Sequence, residues 1–132
     1  MCFAKEMLET KKQLETLSHQ VSVPYDINDH LKDPTLRNNT ERDRVHSIGI
    51  DIYRKCFEIL ANNEAILVLN INQRGVDGYI GAAVLMEIGL AYYLNKKIFL
   101  LNPVSPKERY REDVIILGAI VLNGDLMRMP IN

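Results

Sequence analysis

The chain has 132 residues, 47% apolar and 25% charged, an ordinary globular balance that excludes a disordered polymer and suffices for one core without disulfides or metals. Sixteen basic and seventeen acidic residues leave a formal net charge of −1, which speaks against a nucleic-acid polymer as partner, since that would call for a basic excess or stripe. Two isolated cysteines (Cys2, Cys56), three scattered histidines (His19, His30, His46) and the lack of any apolar run near the ~18 residues of a membrane span point to a reduced, cytoplasmic domain without metal, cofactor or membrane anchor.

In chain order, Phe3 to Leu17 reads as a helix, with Phe3, Met7, Leu14 and Leu17 in helical phase. Gln20-Val21-Ser22-Val23-Pro24 alternates and ends in proline, which predicts a short strand, and Tyr25 to Asn39 reads as a surface loop. Thr40 is the expected cap of a second helix carrying Glu41 and Asp43 in its first turn and an apolar stripe of Val45, Ile48, Ile52, Cys56 and Ile59, closed by Ala61-Asn62-Asn63. Ala65-Ile66-Leu67-Val68-Leu69 is a short continuous apolar run, the pattern of a strand buried on both faces. A polar, glycine-bearing loop leads to a third helix over about Ile80 to Asn95. Then follow a second buried strand (Lys97 to Leu101), a short helix around Lys107 to Val114 and a last strand, Ala119 to Leu122. This alternation predicts a single α/β domain over residues 1–132, a parallel sheet with helices on both faces. It is unusual in opening with a helix rather than a buried strand.

Ligands of open parallel sheets bind beyond the carboxyl ends of the strands. Asn70 to Gly81 lies there, with glycines at 75, 78 and 81, so Asn70, Gly78 and Gly81 are candidate substrate-binding positions. The spacing matches neither dinucleotide nor P-loop fingerprints, and the glycines could equally serve the turn alone. Ile80, Val84, Glu87, Ala91 and Leu94 share one helical stripe, which places a carboxylate among apolar side chains. Burial disfavours such a charge and raises its pKa, a cost often tolerated at functional sites; the alternative is a solvated flank or a structural hydrogen bond. Leu85, Met86, Leu90 and Tyr92 make the other faces of this helix apolar too, which points to a homodimer or higher homo-oligomer. Asp77 reads as an acid or a turn residue, Tyr79 as a hydrogen-bond donor or a packing group, and Asn123-Gly124-Asp125 as a turn after the last strand.

The ordered set Ile66-Leu67-Val68-Leu69-Asn70, Gly78-Tyr79-Ile80-Gly81, Glu87-Ile88-Gly89-Leu90-Ala91-Tyr92, Lys96-Lys97-Ile98 and Ile120 to Leu126 resembles the nucleoside 2-deoxyribosyltransferase-like superfamily over nearly the whole chain. The resemblance implies a three-layer, flavodoxin-like (Rossmann-like) parallel sheet and chemistry at the N-glycosidic bond of a deoxynucleoside or deoxynucleotide. It casts Glu87 as the nucleophile at the anomeric carbon, Asp77 and Tyr79 as groups that orient the sugar and protonate the leaving base, and Asn123 or Asp125 as substrate contacts of the C-terminal segment. Related readings are a deoxynucleoside 5′-monophosphate N-glycosidase and a nucleotide-binding module without turnover. The chain departs from the family in two places. Gly81, Ala82 and Ala83 occupy the turn where the transferases carry an aspartate, and Met1 falls where the family's first strand and glycine/serine loop have already passed. Either the chain begins upstream of Met1 or one wall of the pocket is missing, and without that strand two sheet edges would stand open.

Overall fold

A computed structural model describes residues 3–130, so Cys2 lies outside the described residues. The contacts group into two compact units, divided between Ile59 and Leu60.

The first unit is helical. Helix α1 (Ala4–Thr16) buries Ala4 and Leu14 and is followed by α2 (Ile27–Lys32), a 3-10 turn (Leu36–Asn38), α3 (Thr40–Ile50) and α4 (Ile52–Ala61), within which the division falls. Residues 20–24 form no strand, because their carbonyls are used otherwise: Lys11 Nζ donates to Val21 O at 3.1 Å and Ile27 N–H donates to Pro24 O at 3.2 Å. The expected loop over 25–39 contains a helix instead. Asp26 and His30, one turn apart and both buried, face each other with Asp26 Oδ2 and His30 Nε2 3.0 Å apart, and the His46 ring of α3 stands edge-on to His30 at 6.2 Å. A helix of six residues presents no periodic window to read, so this buried polar pair and the ring contact from α3, rather than a stripe, support α2.

The long helix expected from Thr40 is broken. Its cap is Asn39, whose side chain accepts from Arg42 N–H at 3.0 Å, and Asp51 adopts the left-handed conformation (φ 51°, ψ 55°) between α3 and α4. The stripe is therefore not continuous, and Val45 and Ile48 are 66% and 73% exposed.

The second unit is an α/β body with three parallel strands in the order β1 (Ala65–Val68), β2 (Lys97–Leu100), β3 (Ile120–Val121). Val68 pairs with Leu100, and Leu100 with Val121. The connections carry α5 (Ala82–Tyr93) and α6 (Arg111–Ile116), and a 3-10 turn (Leu126–Arg128) follows β3. Helix α5 starts two residues later than the periodicity suggests, with Gly81 as its cap residue, and α6 lies a turn further on than expected. Strands added successively in one direction by right-handed crossovers place both helices on the same face. Accordingly Ile88 and Ala91 of α5 and Val114 of α6 pack in one cluster with Val68, Ile98 and Leu100.

Two loops meet at the carboxyl edge of this sheet. Gly78 has φ +69°, and a Cβ there would lie 2.0 Å from Pro103 O, so the loop after β1 can approach the loop after β2 only through a glycine. Gly75 also has positive φ (+76°) but would meet nothing within 4 Å. Gly75→Ala is therefore expected to cost about 1 kcal/mol, the backbone strain alone. Gly78→Ala adds displacement of Pro103 and should cost roughly 3 kcal/mol or more. Urea denaturation of the two variants checks the difference.

Candidate functional site

The site lies at the carboxyl ends of β1 and β2, where Asn70 and Asn102 each follow their strand by two residues. Asn70 is fully buried. Asn102 N–H donates to Asn70 Oδ1 at 2.9 Å, Asn70 Nδ2 donates to Asn102 O at 2.5 Å, and Asn102 Nδ2 donates to Asn70 O at 3.3 Å. Asn70, expected as a substrate contact, thus spends both ends of its amide on the fold. It holds the two loops at the sheet edge together and acts on the site from behind. Asn102 was not singled out by sequence reasoning, although Leu69-Asn70 and Leu101-Asn102 close both strands alike and the register makes them level.

The loop between Asn70 and α5 folds on itself. Gln73 and Val76 exchange backbone hydrogen bonds of 3.1 and 3.0 Å across Arg74 and Gly75, both at positive φ as a type I′ turn demands. Asp77 is exposed, and its Oδ1 accepts from Asn72 Nδ2 at 2.8 Å, so its carboxylate braces the loop. Tyr79 is half-buried, and among the described residues its hydroxyl has no hydrogen-bond partner. The buried Ile80 is anchored by Tyr110, another residue that the sequence reading passed over. The Tyr110 hydroxyl accepts from Ile80 N–H at 3.1 Å and donates to Ile80 O at 3.0 Å. These two hydrogen bonds to the Ile80 backbone set where the chain enters α5, and burial raises the Tyr110 pKa. Gly81 follows with no side-chain cap, leaving the first N–H groups of α5 without a capping side chain.

Glu87 lies in the middle of α5, on the flank of the face that buries Ile88 and Ala91 completely. Desolvation pushes its carboxyl up to about 7, and no described residue donates a hydrogen bond or an ion pair to it. Of the two alternatives to a functional carboxylate, a structural hydrogen bond is not seen among the described residues, while the flank position leaves Glu87 only partly buried. Near neutrality the group exists both charged and protonated, so it can act as a nucleophile or base and as an acid. Glu87 bonds to neither Asp77 nor Tyr79.

Asn123 and Asp125 are exposed beyond β3. Asn123 is left-handed (φ 52°), and the register makes it level with Asn102. Gly124 N–H donates to Leu101 O at 2.8 Å, which ties the turn back to β2. Asp125 caps the 3-10 turn, its Oδ1 accepting from Met127 N–H at 3.0 Å. Among the described residues no group of three His, Cys, Asp or Glu side chains could hold a metal ion, and no helix is long and apolar enough to cross a membrane.

Two outcomes are expected. Between pH 4.5 and about 7 the folded chain keeps a proton on Glu87 that the unfolded chain has released, so stability from this group falls as pH rises through that window. Glu87→Gln should therefore stabilise the protein above pH 7 by on the order of 2 kcal/mol, with the gain vanishing towards pH 4.5, as read from denaturation midpoints across pH. Tyr110→Phe strands a buried peptide group and should cost about 1–3 kcal/mol, with faster amide exchange at Ile80. The chain matches no family model, no curated protein and no solved structure, so the site is interpreted from its own geometry.

Proposed function

We propose that the protein is an enzyme of the nucleoside 2-deoxyribosyltransferase type, acting on the N-glycosidic bond of a deoxynucleoside or deoxynucleotide through Glu87. The observation that carries this reading is the desolvated Glu87 carboxyl, without a partner among the described residues, on the helix that follows the loop at the carboxyl edge of the parallel sheet. A carboxylate suits an oxocarbenium-like centre, as in retaining glycosidases. One Glu87 oxygen bonds to the anomeric carbon while the C–N bond breaks, its electron pair leaving with the base, which takes up a proton. An acceptor base or water then forms the new bond to the anomeric carbon, the ester C–O bond breaks and the carboxylate is restored. Of the two expected helpers, Tyr79 has the uncommitted hydroxyl, whereas Asp77 is engaged by Asn72. The three-layer flavodoxin-like arrangement and a cytoplasmic setting belong to the same proposal.

A second reading, hydrolysis of deoxynucleoside 5′-monophosphates, is favoured by the uncapped N-terminus of α5, whose N–H groups suit a phosphate. Incubation of the full chain with deoxynucleosides and a free acceptor base is expected to yield the exchanged nucleoside, and Glu87→Ala to lower the rate by about 10²-fold or more. Equal product from both proteins overturns the proposal. Base released from 5′-monophosphates without acceptor selects the second reading, and ligand bound without turnover selects a binding module. Because a nucleophile must be ionised, the rate should rise with pH about a midpoint near 7.

A further inference from the structure

We infer that Tyr110 is a positioning residue for the proposed reaction: through the backbone of Ile80 it fixes Tyr79, whose hydroxyl gives its proton to the departing base. The inference rests on the glycosyl-transfer reading of Glu87. Ile80 is held at three points. Its side chain, 3% exposed, belongs to the core cluster of Val68, Ile88 and Leu100, its N–H donates to the Tyr110 hydroxyl, and its carbonyl accepts from that hydroxyl. The N–H belongs to the peptide shared with Tyr79 and the carbonyl to the peptide shared with Gly81. One hydroxyl thus fixes the chain on both sides of Ile80. Tyr79 is also held from its other neighbour, since Gly78 is buried and lies against Pro103 in a space that admits no Cβ. Pro103 and Tyr110 both lie between β2 and α6, so a single loop anchors the residues before and after Tyr79.

The side chain so bracketed is one whose polar end is free. Tyr79 Cε1 stands 3.9 Å from the place a Gly81 Cβ would take, so the ring leans over the cap residue of the helix that carries Glu87. Among the described residues its hydroxyl has no hydrogen-bond partner. A backbone fixed on both sides of an uncommitted hydroxyl is the arrangement of a preorganised donor. Asp77, the other expected helper, is exposed and engaged by Asn72. Burial raises the Tyr110 pKa against the opposing pull of the Ile80 N–H, so Tyr110 keeps the proton it donates to Ile80 O throughout the range in which Glu87 titrates. In the reaction, a Glu87 oxygen bonds to the anomeric carbon as the C–N bond breaks, and the base nitrogen, leaving with the electron pair, takes the Tyr79 hydroxyl proton. The incoming base or water gives a proton to the Tyr79 oxygen as it displaces Glu87, which restores both groups.

Steady-state kinetics of the full chain with a deoxynucleoside and an acceptor base test the assignment. Tyr79→Phe is expected to lower kcat by about 10²-fold with its denaturation midpoint unchanged. Tyr110→Phe should lower kcat by about tenfold or more with KM changed by less than about threefold, because misplacement of the donor is felt in the transition state. The double variant should be no slower than Tyr79→Phe alone, since Tyr110 acts only by placing a hydroxyl that is then gone. Gly78→Ala, which shifts Tyr79 from its other side, should show the same kcat loss and the same lack of a further loss with Tyr79→Phe, and it serves where Tyr110→Phe does not fold. A wild-type kcat in Tyr79→Phe or in Tyr110→Phe overturns the inference, as does a double variant in which the two losses multiply. If Glu87→Ala loses its rate in the same assay, the reading of Glu87 survives that result; if Glu87→Ala keeps the wild-type rate, both fall.

Discussion

Asn70 and Asn102 extend the parallel pairing of β1 and β2 beyond the last strand residues, and the geometry of the site depends on that extension. At the carboxyl end of a parallel strand the chain must turn away, and backbone groups that would have paired face a desolvated edge. The Asn70 amide supplies a donor and an acceptor to the Asn102 peptide, so both loops leave the sheet from one fixed point. Gly78 can then pass against Pro103, and Tyr110 can hold the Ile80 peptide at the entry to α5. The entry to α5, the helix that carries Glu87, is fixed by these contacts. Breaking the Asn70–Asn102 or the Tyr110–Ile80 hydrogen bonds leaves part-buried polar groups without a partner, which costs more than a typical bond is worth.

Helix α5 has an apolar demand on two sides. Its inner face closes the core over β1 and β2, and its outer stripe of Ala82, Met86, Gly89 and Tyr93 is as free of charge. Between them, Glu87 is a largely desolvated carboxyl with no partner among the described residues, and burial pushes it up to about 7. The same composition that makes the helix a good core element raises the pKa of its one acid, through desolvation.

Much of the second unit was legible in the sequence, because its strands are continuous apolar runs and α5 has an unmistakable length of helix-forming residues. The placement of Glu87 on the stripe of Val84 and Ala91 followed from spacing alone, whereas Ile80, expected on the same stripe, precedes the helix. The first unit was legible in α1 and in the helical character of Thr40 to Ala61, though not in the break at Asp51. The Gln20–Pro24 alternation looked like a strand but has no ladder partner among the described residues, and alternation cannot supply one. The stripe from Val45 to Ile59 looked continuous because a left-handed residue at Asp51 leaves the count of residues unchanged while rotating the next helix away. The helix at Ile27–Lys32 was missed because its support, the buried Asp26–His30 pair, is polar and one turn long.

By itself, the sequence determined which segments are strands and helices in the α/β part, that the sheet is parallel, and that a carboxylate lies in an apolar helical stripe. Those properties depend on local periodicity and run length, which neighbouring residues carry. Only the tertiary structure decided what each polar residue of the expected site is for. Asn70 is consumed by Asn102, Asp77 by Asn72 and Asp125 by its own turn, while among the described residues Glu87 and the Tyr79 hydroxyl have no hydrogen-bond partner. The reason is that hydrogen-bond partners are assigned by strand register and loop approach over separations such as the 32 residues between Asn70 and Asn102, and no pattern in adjacent residues encodes them.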